Sequence, residues 1–214
     1  MLRKDIDSFL KTIPSNVVLV AATKYVTPLE MKDLLNHGIN NFGENRVEAF
    51  KEKYEALKNE YIKWHFIGHL QRNKASEIIN QIDYLHSLDS LKLCDIIEKE
   101  RTKPLDCFIE VSINEEESKN GVYLNKIDDF MDKVLTYKKI NVVGFMMMSV
   151  KYSSKDELDE QFHKLVVLKE RLESKYQRSF PYLSMGMSDD YLSALNNGAT
   201  HIRLGRILYD NFGY

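Results

Sequence analysis

The chain has 214 residues, 43% of them hydrophobic, which is enough to bury the core of one large domain or two small ones. Its 30 Lys+Arg against 32 Asp+Glu leave a formal charge of −2, so no basic field points to nucleic acid or anionic lipid. Four prolines, nine glycines and two cysteines exclude a low-complexity linker and a disulfide scaffold, and residues 1–214 read as a single domain.

Leu2 to Lys11 predicts a short amphipathic helix ended before Pro14. Its charges stand where a signal peptide needs its apolar stretch, and no later run reaches transmembrane length, which predicts a cytoplasmic protein without a membrane partner. Val17 to Lys24 follows as a strand whose first six residues are apolar on both faces, as in a parallel sheet. Thr27-Pro28 opens a helix over Leu29 to Asn36, stopped at His37-Gly38.

Ile39 to Phe42 predicts a second strand, and Val47 to Lys58 a charged helix. The third strand is Trp64 to Gly68, with a helix through Ala75, Ile78 and Ile79. The fourth is Tyr84 to Leu88, with a helix over Leu91 to Glu100. Asp106 to Val111 forms the fifth and buries Cys107. A polar, charged loop, Asn114 to Gly121, reads either as a solvated connection or as a cover over the mouth, and precedes a helix over Ile127 to Leu135. Val142 to Met148 is the sixth strand, its three methionines lining core and mouth, and its helix spans about Glu157 to Leu172. Tyr182 to Gly186, a helix over Asp189 to Leu195, and Thr200 to Gly205 complete the series.

Eight alternations of short apolar strand and amphipathic helix match a single (β/α)8 TIM-type barrel of the α/β class. An open doubly wound sheet more often carries a glycine-rich phosphate turn after its first strand, and none is present.

In a barrel the residues following each strand converge on one mouth. Here they are Lys24, Glu44-Asn45, His69, Ser87, Ser112, Ser149, Ser188 and Arg203 through Arg206, a set suited to a small anionic ligand and not to a hard metal ion. Lys24 has two readings: a lysine that snorkels into water, or a partly desolvated amine of lowered pKa acting as a Schiff-base nucleophile. Ser188 reads as the N-cap of the helix after the seventh strand, where a phosphate could bind. Gly205 lets an anion approach the backbone after the eighth. The histidines look scattered; His65 and His69 straddle a strand end, so a metal-protease geometry is absent.

Several stretches together carry a resemblance. Ala22-Thr23-Lys24, Phe42-Gly43-Glu44-Asn45, Trp64 to Lys74, Ser118-Lys119-Asn120-Gly121 and Leu183 to Asp190 occur in order. The chain resembles the pyridoxal phosphate (PLP) homeostasis protein family, whose fold is similar to the N-terminal barrel of alanine racemase. The resemblance implies that Lys24 holds PLP as a Schiff base, that Ser188 and the backbone around Gly205-Arg206 bind its phosphate, that Arg203 faces the pyridine nitrogen, and that Asn45 lies beside the ring. Two positions depart from the family pattern: Arg206 stands where a small hydroxyl residue is common, and Asp210 where a glycine is usual.

An arginine at the ring nitrogen makes the ring a weaker electron sink than a carboxylate would. The barrel is expected to consume the chain to Tyr214, a reading that leaves no second domain or partner tyrosine for the opposite-face acid/base of a racemase. The reading is therefore a PLP carrier in vitamin B6 and amino-acid homeostasis, with apo PLP-dependent enzymes as candidate partners and a monomer expected. An amino-acid racemase is the alternative, and the barrel and lysine alone would also permit a cofactor-free Schiff-base aldolase.

Overall fold

A closed ring of parallel strands carries the chain. The computed structural model describes residues 1–114 and 120–210. Its strands are β1 (Val18–Ala22), β2 (Asn41–Glu44), β3 (Lys63–Phe66), β4 (Tyr84–Leu88), β5 (Leu105–Ser112), β6 (Val122–Tyr123), β7 (Ile140–Met146), β8 (Tyr182–Ser184) and β9 (His201–Leu204). The sheet runs β4-β3-β2-β1-β9-β8-β7-β5, and pairing of β4 with β5 closes it. That closure excludes the open sheet. The two-residue β6 lies on the far side of β5, pairing Val111 with Val122, and leaves the barrel itself eight-stranded.

The helices are α1 (Ile6–Leu10), α2 (Pro28–Asn36), α3 (Val47–Ala56), α4 (Arg72–Ile78), α5 (Leu91–Glu100), α6 (Ile127–Val134), α7 (Lys155–Tyr176) and α8 (Tyr191–Asn196). Two begin with full capping boxes, Thr27 with Glu30 at α2 and Ser154 with Glu157 at α7, each satisfying two backbone N–H groups. Among the described residues no helix is long and apolar enough to cross a membrane.

Strand alternation separates two interiors. Outward residues such as Phe42, Trp64 and Phe66 pack under the helices, with Phe50 of α3 edge-on to Trp64 at 5.2 Å. Inward positions carry Phe108, Val143 and Met146, and with them a polar set: Asn41, His65, His86, Ser184, His201 and Arg203. Barrel interiors are ordinarily filled by branched aliphatic residues, so this one is chemically unusual.

The boundaries differ from expectation in ways that matter for the site. β1 ends at Ala22, so Thr23 and Lys24 belong to the turn. β2 is shifted two residues later than predicted, to Asn41–Glu44, because Gly38, at φ +81°, closes α2 and the Ile39 N–H still donates to Leu34 at 3.1 Å. Glu44 and Ser112 thus lie inside strands rather than beyond them. β7 ends at Met146; Met146 and Met147 are buried, while Met148 is exposed. Residues 115–119 of the expected covering loop, including Ser118 and Lys119, lie outside the described residues.

The amino-terminal segment crosses back to the last turn. Leu2 bridges Tyr209 in antiparallel fashion. The Arg3 N–H donates to the Leu208 carbonyl at 3.1 Å. The Arg3 guanidinium reaches the Ile207 carbonyl at 3.0 Å, and the Lys4 N–H donates to the Asp210 carboxylate at 3.0 Å. Asp210 therefore has work that a glycine at that position could not do.

Candidate cofactor site

Register places the candidate residues on one level. Ala22 of β1 pairs with Gly43 of β2, and Lys24 and Asn45 each follow that pair by two residues, at the same end of neighbouring strands. On the other flank Ala21 pairs with Leu204, which brings Gly205 beside the end of β1. Val20 pairs with Arg203, setting that guanidinium deeper in the barrel than Lys24.

Lys24 is exposed, which fits a lysine that reaches into water and not one desolvated against the barrel wall. Its Nζ lies 4.7 Å from the centroid of the Tyr25 ring, and a hydrogen bond with Lys24, helped by the Lys24 charge and the Arg46 guanidinium, holds the Tyr25 phenol below its ordinary value. The turn that carries Lys24 is anchored from behind. Lys53 Nζ donates to the Thr23 carbonyl at 2.5 Å and to Glu44 Oε1 at 2.5 Å, and the Thr23 hydroxyl donates to the same carboxylate oxygen at 2.5 Å. Thr23, Glu44 and Lys53 are all buried. Neither Glu44 nor Lys53 was legible as a pair, because they meet only through the fold of β2 against α3.

Ser188 is not the N-cap of α8; Asp190 is. The Asp190 carboxylate instead accepts from the Met187 N–H at 2.5 Å and from the Ser149 hydroxyl, pinning the turn. Ser188 Oγ is left facing β9 and the short 3-10 turn Arg206–Leu208, where it accepts from the N–H of Gly205 at 3.4 Å and of Ile207 at 3.5 Å. These bonds are long, and the three groups together form a donor cluster suited to an oxyanion. The Ile207 N–H has no side-chain signature, and only the turn geometry reveals it. Gly186 makes the approach possible: it has φ +93°, and a Cβ there would lie 2.6 Å from that of Ala194.

The Arg206 guanidinium turns the other way, onto exposed Asp189. Asn45 Oδ1 is buried without a hydrogen-bond partner among the described residues. A Cβ on Gly68 would lie 2.5 Å from the Asn45 carbonyl oxygen, so only glycine lets the segment after β3 close on that residue.

Arg203 is buried, and burial lowers it to about 10. One of its five N–H donors goes to Ser184 Oγ at 2.6 Å and one to the Met147 carbonyl at 2.9 Å. Glu110, which no sequence motif marks, sits near the C-terminal end of β5; burial and then Asp89 push its carboxyl up to about 7, against the pull of Arg203. Other expected mouth residues have local tasks. His69 faces Asp89 at 3.4 Å, and Ser87 donates to the Gly68 carbonyl at 2.6 Å.

The histidines are less scattered than their spacing suggests. His65, His86 and His201 meet inside the barrel, with ring centroids 5.1 to 6.3 Å apart. The ring nitrogens of His65 and His86 are taken up in hydrogen bonds. Among the described residues no group of three His, Cys, Asp or Glu side chains is placed to hold a metal ion.

Comparison with known proteins decides the family. The sequence model described as "Alanine racemase, N-terminal domain" matches residues 5–211. A pyridoxal phosphate homeostasis protein of Aquifex aeolicus is 36% identical over 199 residues, covering 92% of this chain and 87% of the relative. The chain belongs to the alanine racemase N-terminal domain family, among the pyridoxal phosphate homeostasis proteins.

Solved structures share this homeostasis-protein fold. PipY of Synechococcus elongatus PCC7942, without PLP, superposes with a TM-score of 0.91 at 24% identity, covering 98% of this chain and all of that one. Its structure with PLP bound gives 0.87. The alanine racemase of Clostridium difficile 630 gives 0.78 at 11% identity, covering all of this chain and 58% of the racemase.

Proposed function

We propose that this chain binds pyridoxal 5′-phosphate at the barrel mouth and serves PLP and amino-acid homeostasis as a holder of the cofactor, without substrate turnover. The observation that carries the reading is the level shared by a primary amine at the end of β1 and the Ser188–Gly205–Ile207 donor cluster at the end of β9. The fit to PLP is chemical: hydroxyl and amide donors for a phosphate, an amine for an aldehyde, and an unpartnered buried amide oxygen at Asn45 on the adjoining strand. The homeostasis name of the relatives and the PLP in the PipY structure support it.

PLP supplies an aldehyde that captures amines and a ring that withdraws electrons. Lys24 Nζ is the amine that would hold the cofactor through its aldehyde. Ser188 and the Gly205 and Ile207 N–H groups would bind the phosphate, with Arg206 contributing backbone and not guanidinium. Asn45 would flank the ring, and Arg203 would donate to the pyridine nitrogen. We assign no catalytic residue. Handover to apo PLP-dependent enzymes, a monomeric state and a cytoplasmic location complete the reading.

The test is the visible absorbance of protein incubated with PLP. Borohydride should fix the cofactor to Lys24, as peptide mapping would show, and Lys24→Ala should abolish the fixed adduct. An adduct that persists in Lys24→Ala sinks the site assignment. Turnover of an amino-acid panel well above that of PLP in solution would establish the racemase instead.

A further inference from the structure

The barrel interior holds a continuous hydrogen-bonded chain that the binding of a cofactor at the mouth does not by itself require. Arg203 Nη1 donates to Ser184 Oγ at 2.6 Å. Ser184 Oγ lies 2.8 Å from His86 Nδ1, His86 Nε2 lies 2.9 Å from His65 Nδ1, and His65 Nε2 lies 3.0 Å from Asn41 Oδ1. Five residues from β2, β3, β4, β8 and β9 are thus strung across the barrel.

The direction of every proton in this chain follows from its two ends. Arg203 can only donate. The Asn41 amide donates through Nδ2 to Asn40 at 3.0 Å, which turns its oxygen toward His65. His65 therefore carries its proton on Nε2 and accepts on Nδ1. His86 must then donate from Nε2 and accept on Nδ1, and the proton it accepts is that of Ser184. Each group donates toward Asn41, and the dipoles align head to tail.

Both imidazoles must be neutral for this to hold. Burial drives each well below its ordinary value, with His201 and Lys63 adding to the effect on His65, and with His65, Arg203 and His201 adding to it on His86. Ring packing fixes their planes: His65 stacks on Tyr84 at 4.6 Å and 9°, and His86 on Phe108 at 4.3 Å and 29°. Because His86 takes the serine proton, the lone pairs of Ser184 face Arg203. The guanidinium is held at one edge by Ser184 and the Met147 carbonyl, and its other three donors have no partner among the described residues.

We propose that Asn41, His65, His86 and Ser184 form a one-directional relay that orients Arg203, and that through it the barrel interior sets the hydrogen bond Arg203 gives to the pyridine nitrogen. The four are positioning residues. The ligand half of this statement rests on the PLP reading above; the relay itself does not.

Two measurements test it. In the ligand-free protein, imidazole ¹⁵N–¹H spectra should show His65 and His86 neutral with the proton on Nε2, and the His86 signals should shift in Ser184→Ala. An Nδ1-protonated ring at either position overturns the relay. In protein loaded with PLP labelled at the ring ¹⁵N, the nitrogen resonance should move in His86→Phe and in Ser184→Ala, and return toward wild type in His86→Gln, whose amide can accept from Ser184 and donate to His65. PLP affinity should fall about two- to thirtyfold in Ser184→Ala, the range expected for coupling through a residue that does not touch the ligand. If His86→Phe fails to fold, Ser184→Ala carries the comparison. A resonance unchanged in the variants overturns the proposal. If wild-type protein forms no borohydride-fixed adduct, the PLP reading fails instead, and the ligand-free spectra still decide the relay.

Discussion

Lys53 reaches through the wall behind the site to hold the carbonyl of Thr23 at 2.5 Å, so a buried ammonium fixes the residue from which Lys24 departs. The same ammonium pairs with Glu44, whose side chain is wholly buried. Removing one member of such a pair strands the other charge in the wall. Lys53→Met should lower stability by about 3–5 kcal/mol in urea unfolding, and Glu44→Leu combined with Lys53→Met should recover at least half of the loss. If Lys53→Met is neutral, the pair does not hold the turn.

Ser188 and Arg206 separate the two ways an anion could be bound here. The serine hydroxyl sits over two backbone N–H groups, whereas the arginine is committed to Asp189 on the surface. Ser188→Ala should weaken PLP binding about tenfold, as expected for loss of one hydrogen bond to a charged group. Arg206→Ala should change it less than about threefold, since exposed pairs contribute about 0–1 kcal/mol. Fluorescence titration with PLP measures both, and the reverse ranking would move the phosphate to the guanidinium.

Gly186 makes the turn that presents Ser188. Gly186→Ala forces a side chain into a left-handed backbone and against Ala194. It should cost about 1–3 kcal/mol and weaken PLP binding together with stability. Denaturant melts with and without PLP would show both; full stability with unaltered binding would mean the turn tolerates the clash.

The titration of the interior has a predictable sign. His65 and His86 stay well below their ordinary 6.5, and His201 falls to about 4, all by burial. The unfolded chain takes up those protons below about pH 6.5 while the folded one refuses them, so stability falls as pH drops through that range toward 4. Glu110, raised to about 7, acts oppositely: its stabilising proton is fully present below about 4.5 and is lost as pH rises through 7. Three imidazoles outweigh one carboxyl between pH 6.5 and 4.5, a net fall of about 1–3 kcal/mol per pH unit. Urea midpoints at pH 7, 6 and 5 should therefore decrease in that order. A rising series would mean that the imidazoles are charged in the fold.

The eightfold repeat was legible in the sequence because the outward face of each strand is a short apolar run packed under an amphipathic helix. The inward face was not. His65 lies between Trp64 and Phe66, and in a linear reading one polar residue within an apolar run looks like noise; only closure of the sheet turns His65, His86 and His201 toward one axis. Ser188 stands just before a helix, yet Asp190 occupies the N-cap position and Ser188 faces the end of β9, a contact across 17 residues that no local pattern encodes. The apolar run places Lys24 at a strand end, but β1 stops two residues earlier, which leaves its amine in water instead of against the wall.

The Arg3 clamp on Ile207 and Leu208 joins the amino-terminal segment to the turn whose N–H groups face Ser188. With β1 pairing against β9, that turn takes shape only when residues some two hundred positions apart have met. A nascent or circularly broken chain could display Lys24 early, but it would have no seat for an oxyanion until the ring shuts. Retention of the cofactor is thus a report on ring closure, and a chain that loses its first few residues should release its cargo before it loses its helices.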